Sequence, residues 1–269
     1  MSLSPQSDSP GHLRFIIPGL GDGPERRALV ASNIKFLQRQ LKELGVAFSC
    51  QINVYGEVPM PLQTVEPCAS TFTIANQHET QRNTRFCDAD YVAVLFDDAN
   101  LQTENPVNLS TLIPIIAKGD VDVGVTACRG SGWKVMSPGV GVILSKFYEP
   151  FFSVYTAKAW RCRMDLFDII SQVGPSDQMF WDKYEYTFCH SKIGIFKEMV
   201  ADHTQLGGKH QKFINFDQTV IDSQWRKLYT HMKEERGVLP INYEEKLAVT
   251  NKFPSFLEVA NGEGYRELK

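Results

Sequence analysis

Residues 91–100 read YVAVLFDDAN, and their reading decides the fold. Tyr91 to Phe96 is an unbroken run of six apolar or aromatic residues, four of them β-branched or aromatic. A short run of this kind predicts a central strand buried on both faces. It stops at two adjacent carboxylates, Asp97 and Asp98. In an open α/β sheet, ligands sit outside the carboxyl ends of the strands. Two acids at that edge can hold a hard divalent cation through oxygen, and such a cation commonly carries a substrate's phosphates. The competing reading is a solvated Asp-Asp-Ala-Asn turn, since Asp and Asn are frequent turn residues.

Upstream, Leu13 to Pro18 predicts the first strand, followed by the Gly-rich loop GLGDGPE with Pro24 placed at a first helical turn. A helix over about 25–44 carries apolar residues at 29, 30, 34, 37, 41 and 44, and Gly45 closes it. Phe48 to Tyr55 is the second strand. This βαβ opening favours a parallel sheet with a right-handed crossover. GLGDGP lacks the third glycine of the dinucleotide fingerprint, so that function is not read from it. Residues 57–68 read as a loop, Ser70 to Ala75 as a short strand, and Gln77 to Cys87 as a polar, basic helix.

Downstream, Asn105-Pro106 opens a helix over about 107–118, and Val121 to Ala127 is a strand. The Gly-rich stretch 129–139 contains Trp133, and Val140 to Leu144 is another strand. Phe147 to Tyr155 reads as an aromatic helix or turn, and 157–173 has a helical pattern. Gly174-Pro175-Ser176-Asp177 caps a helix running to about Tyr186. Ile193 to Phe196 is the last strand, followed by a polar stretch at 200–216 and a helical pattern at 217–236.

Composition bounds the class. Hydrophobic residues make up 43% and charged residues 22%, as in an ordinary globular protein. At 269 residues without repeats, one domain over 13–269 is expected, behind a disordered tail at 1–12 rich in Ser, Pro and Gly. A net charge of −3 gives no basic footprint, so nucleic acid is not an expected partner. No run approaches the ~18 apolar residues of a membrane span. The first residues lack a signal-peptide pattern, so a soluble, cytoplasmic protein is expected. Six cysteines with no CxxC pair argue against structural zinc and for reduced, buried thiols.

The order of elements, with Asp-Asp after the buried strand and a late His, resembles the GT-A fold glycosyltransferases. NTRF at 83–86, the acidic strand and GVILSKFYEPFF at 141–152 most resemble the exostosin-type hexosaminyltransferase domain, over about a third of the chain. The resemblance implies a GT-A-like α/β fold: a mixed, mostly parallel central sheet flanked by helices. It implies transfer of a sugar from a nucleotide-sugar donor, a UDP-sugar first, to an acceptor hydroxyl on a glycan or glycoprotein, with Mn²⁺ or Mg²⁺ as cofactor.

The same resemblance assigns residues. The family's acidic motif is usually DxD, and here it reads FDDAN. Either Asp97 begins a DxD whose second acid has become Ala99, or Asp98 is the last acid of a motif that begins at Phe96. Asp98, helped by Asp97, would hold the metal. In HTQLGGKHQK, 203–212, His203 takes the place of the family's C-terminal metal-binding His, with His210 competing. Lys209 would reach the diphosphate. An imidazole beside two carboxylates suits Mn²⁺ better than Mg²⁺. The loop after the first strand, with Pro18, Gly19, Leu20 and Asp22, would bind base and ribose.

Arg82 or Arg85 could neutralise diphosphate charge with a bidentate fork, or be a surface charge. Asp177 is either a helix cap or the acid facing the acceptor, where it would act as general base in an inverting enzyme. Trp133 either stacks on an acceptor sugar or packs on the core.

Two other functions compete. A sugar nucleotidyltransferase usually shows a longer Gly-rich signature with Lys after the first strand, whereas GLGDGPERR is short and carries Arg. A carbohydrate-binding module on a degenerate enzyme fold would explain Ala99. A soluble chain suits a bacterial or viral enzyme.

Overall fold

The structure, a computed structural model, describes residues 11–20, 23–54, 65–67, 88–131, 134–145, 148–173, 189–204, 226–227, 230–234, 237 and 266–267. Its elements run β1 (His12–Leu20), α1 (Pro24–Glu43), β2 (Ala47–Val54), β3 (Val65–Pro67), β4 (Tyr91–Leu95) and α2 (Leu109–Ala117). Then follow β5 (Val123–Arg129), β6 (Val142–Ser145), β7 (Phe152–Thr156), α3 (Ala157–Val173), β8 (Ile193–Asp202) and β9 (Arg266–Glu267). The expected strand at 70–75 and the helices at 77–87 and 177–186 fall outside the described residues.

The strands form one sheet in the order β3-β2-β1-β4-β7-β5-β8-β6-β9. Pairs β2/β3, β1/β2, β1/β4 and β5/β8 are parallel. β7 lies between β4 and β5, antiparallel to both, and β6 runs against both β8 and β9, so every described strand but β6 and β7 runs the same way. The chain therefore has a GT-A-like, Rossmann-like α/β fold with a mixed, mostly parallel sheet flanked by helices.

Period-two alternation fills both faces. Leu13, Phe15 and Ile17 of β1, with Ala93 and Leu95 of β4, pack into one core with Val30, Ile34, Leu37 and Leu41 of α1. Ile16, Val92 and Val94 point the other way, into a core with Trp160 and Met164 of α3. This is why β4 reads as uninterrupted apolar sequence: it has no solvent face. The helix boundaries follow local chemistry. Pro24 stands at the start of α1, and Gly45 follows its end at φ +68, a conformation glycine adopts without strain. No described helix is long and apolar enough to cross a membrane.

Several expectations are corrected. The stretch expected as loop 57–68 contains β3. The stretch expected as an aromatic helix or turn supplies β7, whose FSVYT is nearly all buried. A short apolar run fits either state, and here two neighbouring strands claim its backbone. α2 starts at Leu109 rather than just after Asn105-Pro106, because Asn108 caps it, its side chain accepting the Ser110 N–H. β1 runs on to Leu20, and β8 runs to Asp202, well past Phe196. Cys162 and Cys189 form a disulfide with Cα atoms 5.9 Å apart, so these two are not the reduced thiols expected. Cys50 and Cys128 are free.

Candidate functional site

The strands β1, β4, β5 and β8 end at one edge of the sheet, and β7 begins there, with Phe152 opposite Leu95. Just past β4, the Phe96 N–H donates to the Phe151 carbonyl (3.1 Å) and the Ala99 N–H donates back to the Phe96 carbonyl (3.3 Å). That bond closes a β-turn with Asp97 and Asp98 as its two central residues. Ala99 is fully buried. An acid at that position would lie in the core, which explains the alanine and leaves Asp97-Asp98 as the acidic pair. Asn100 then pairs with Asp202 through two backbone hydrogen bonds of 2.8 and 2.9 Å, tying the end of β4 to the end of β8.

Helix α1 fixes this turn from the other side. Arg26, Asn33 and Gln40 recur every seven residues, which places them on one helical face. Arg26 Nη1 lies 2.5 Å from Asp97 Oδ1, and Nη2 lies 4.0 Å from Asp98 Oδ2. Asn33, fully buried, donates to the Ala99 carbonyl (2.6 Å) and accepts from the Leu101 N–H (3.2 Å). Gln40 donates to the Val107 carbonyl (3.0 Å) and accepts from the Leu109 N–H (2.7 Å). A buried amide saturated in both senses holds backbone in one register, since leaving either group unpaired is costly.

The third arm comes from β5, β8 and the approach to β7. The pairing of β5 with β8 shifts after Thr126, passing over Lys197, Glu198 and Met199, and this sets Arg129 opposite Asp202. Such irregularities commonly re-aim side chains beside functional sites. His203 follows directly and stacks on Phe151 (4.1 Å between ring centroids, 13°), whose ring meets Phe96 edge-on at 6.1 Å. Gly130 has φ +94, and a Cβ there would stand 2.8 Å from Thr204 Cγ2 and 3.1 Å from His203 Nε2. Only glycine lets the β5 turn pass so close.

The carboxyls here are unequally treated. Burial pushes Asp202 up, but hydrogen bonds from the Thr204 hydroxyl and N–H, with Arg129, outweigh it and hold the group below the usual carboxylate range. Burial pushes Glu149 up, and a hydrogen bond from Ser131 and the nearby His203 only partly offset it. Glu149 Oε2 is buried with no hydrogen-bond partner among the described residues. Cys128 is raised, by burial first and then by Glu149, with Asp202 and Asp98 adding to it. A thiol so placed is a poor nucleophile.

Of the residues expected from sequence, the structure brings Asp97, Asp98 and His203 to this edge. Pro18, Gly19 and Leu20 lie on the last residues of β1, and the Leu20 side chain is packed in the core, so it can offer a ligand only its backbone. Asp22, Arg82, Arg85, Trp133, Asp177, Lys209 and His210 fall outside the described residues. Sequence reasoning missed Arg26, Asn33, Arg129, Glu149 and Asp202. A usable signal existed for Asn33, a lone amide inside the apolar face of α1.

Two adjacent carboxylates are suitable oxygen donors for a hard divalent cation. Among the described residues, however, no three His, Cys, Asp or Glu side chains converge on a point that could hold one. The acid pair is engaged instead by the Arg26 guanidinium. A cavity of about 550 Å³, lined by Ser32, Lys35, Gln38, Arg39, Lys42 and Gln102, lies along the outer face of α1, not at the acid turn.

No known protein family matches the chain, and no curated protein does. Among solved structures it is similar to an S. aureus TarS fragment, at 12% identity over 93% of this chain and 81% of that one, with a TM-score of 0.48. It is also similar to 4-diphosphocytidyl-2C-methyl-D-erythritol synthase from Anaerococcus prevotii, at 8% identity over 82% and 97%, TM-score 0.42. A third is a putative glucose-1-phosphate thymidylyltransferase from Bacillus anthracis in complex with a sucrose, at 11% identity over 76% and 97%, TM-score 0.39. Likenesses this distant carry no argument about this chain.

Proposed function

We propose that residues 13–269 act as one glycosyltransferase domain, moving a sugar from a nucleotide-sugar donor, a UDP-sugar first, to a hydroxyl of a glycan or glycoprotein. The observation that carries the reading is the Asp97-Asp98 turn, engaged by Arg26, at the carboxyl edge of the sheet where β8 delivers His203. Asp98, helped by Asp97, would hold Mn²⁺ or Mg²⁺, which when bound neutralises the charge of a leaving diphosphate; His203 does not converge with the two acids here and would join them only after a rearrangement. Lys209 and Arg82 or Arg85 would add positive charge there. Backbone from Pro18 to Asp22 would meet base and ribose, and Asp177 would face the acceptor.

The direct test is a screen of UDP- and GDP-sugars for Mn²⁺-dependent hydrolysis and transfer. Asp98→Ala should abolish Mn²⁺-dependent UDP binding and leave the protein folded, because a turn-tip acid carries little core stability. An Asp98→Ala protein that binds UDP in Mn²⁺ as tightly as the parent removes the metal assignment. Formation of a nucleotide-sugar from a sugar phosphate and a nucleoside triphosphate, without sugar transfer, would replace the reading with nucleotidyl transfer.

A further inference from the structure

The acid pair already has a cation. Arg26 stands in the first turn of α1 and reaches both carboxylates, at 2.5 Å and 4.0 Å. The three side chains are only 13–20% exposed, so their attraction is less screened than that of an open surface pair. Yet the turn does not rely on this contact for its shape. Asn33 holds Ala99 and Leu101, and the Asn100–Asp202 bridge holds the backbone on the other side. The guanidinium can therefore leave without the turn collapsing.

We propose that Arg26 is the resident counter-cation of the Asp97-Asp98 turn, that a divalent ion arriving with a nucleotide diphosphate displaces it from the carboxylates, and that the freed guanidinium pairs with the diphosphate. The identity of the anion rests on the nucleotide-sugar reading above. Charge balances through the exchange. Two carboxylates and one guanidinium sum to minus one, and a divalent cation with the doubly charged diphosphate of a nucleotide-sugar adds nothing. Partners are swapped and no net charge is buried. The guanidinium fork suits phosphate oxygens as well as carboxylates. The first turn of α1 also begins at Gly23 with no side-chain capping hydrogen bond, where the helix dipole favours an incoming anion.

The test is Mn²⁺ titration of the nucleotide-free protein by calorimetry, comparing the parent with Arg26→Gln. Removing a positive charge within hydrogen-bond reach of the acids should tighten Mn²⁺ binding about ten-fold. UDP binding in saturating Mn²⁺ should weaken about ten-fold in the same variant, because a charged phosphate contact is lost. Arg26→Lys keeps the charge without the fork, so it should bind Mn²⁺ like the parent and UDP more weakly. It also decides the matter if Arg26→Gln does not fold. Mn²⁺ affinity that is unchanged or weaker in Arg26→Gln overturns the exchange. UDP affinity of the parent judges the nucleotide reading separately: a parent that binds Mn²⁺ but not UDP removes that reading, while the Mn²⁺ comparison still decides whether Arg26 and the ion compete.

Discussion

Asp202 precedes His203 in the chain and Glu149 feels its charge, yet their environments push the two carboxyls in opposite directions. Burial raises both. Asp202 is surrounded by donors, with Thr204 offering its hydroxyl and N–H and Arg129 a guanidinium nitrogen at 3.2 Å. Among the described residues Glu149 has one donor, Ser131, and an oxygen with none. At Asp202 the donors outweigh burial, and at Glu149 they do not. Asp202 is thus a structural anion that locks the end of β8, whereas Glu149 is held at an energetic disadvantage when ionised.

The sharpest way to break this contrast is Gly130→Ala. A side chain there meets Thr204 and His203 at a positive φ, so it displaces the donor that cages Asp202. A loss of about 2–4 kcal/mol is expected by urea denaturation, from backbone strain plus crowding. A loss below ~0.5 kcal/mol would mean that the β5 turn relaxes and that the cage does not depend on it.

Asp202→Asn should have a smaller effect, about 1–2 kcal/mol at pH 7, because it loses charge-assisted bonds but keeps an acceptor oxygen. The folded carboxyl is depressed below its unfolded value, so its contribution is complete above about pH 4 and fades as pH falls through the folded value. The difference between parent and variant should shrink in acid, and a flat difference would exclude the caged anion.

Glu149→Gln is expected to move stability least and the other way. Its folded value is raised, so the folded protein holds the proton more tightly, and stability falls as pH climbs from about 4.3 through the folded value. The neutral amide should gain up to about 1 kcal/mol at neutral pH and nothing below about pH 4. A stability loss at pH 7 would show that ionised Glu149 is favourably held, contrary to its orphaned oxygen.

The sheet was legible wherever a segment's own pattern sufficed. Continuous apolar sequence marked β4, the 3.6-residue period marked α1, and the pattern at 157–173 matches α3. β7 was not legible, because FSVYT is a strand only by virtue of the two strands beside it. The end of β8 was missed because a register shift, which has no sequence period, carries the pairing past Phe196. At the site, the acids announced themselves as a pair at a strand end. Their partner did not, since Arg26 lies 71 residues away in a turn where a basic residue looks like ordinary surface. The Cys162–Cys189 bond, across 27 residues, likewise follows from the fold and not from spacing.

The rungs along α1 bear on how the chain is made. Arg26, Asn33 and Gln40 reach partners 66 to 71 residues later. As the chain leaves the ribosome, β1, α1 and β2 are complete long before those partners exist. During that interval Asn33, on the same face as Val30, Ile34 and Leu37, has only water to match its amide and its carbonyl oxygen. The nascent helix therefore carries a polar gap in its apolar face that only Ala99 and Leu101 can close. Synthesis must pass Leu101 before that face can be sealed, so the acid turn is the part that completes the first half of the molecule.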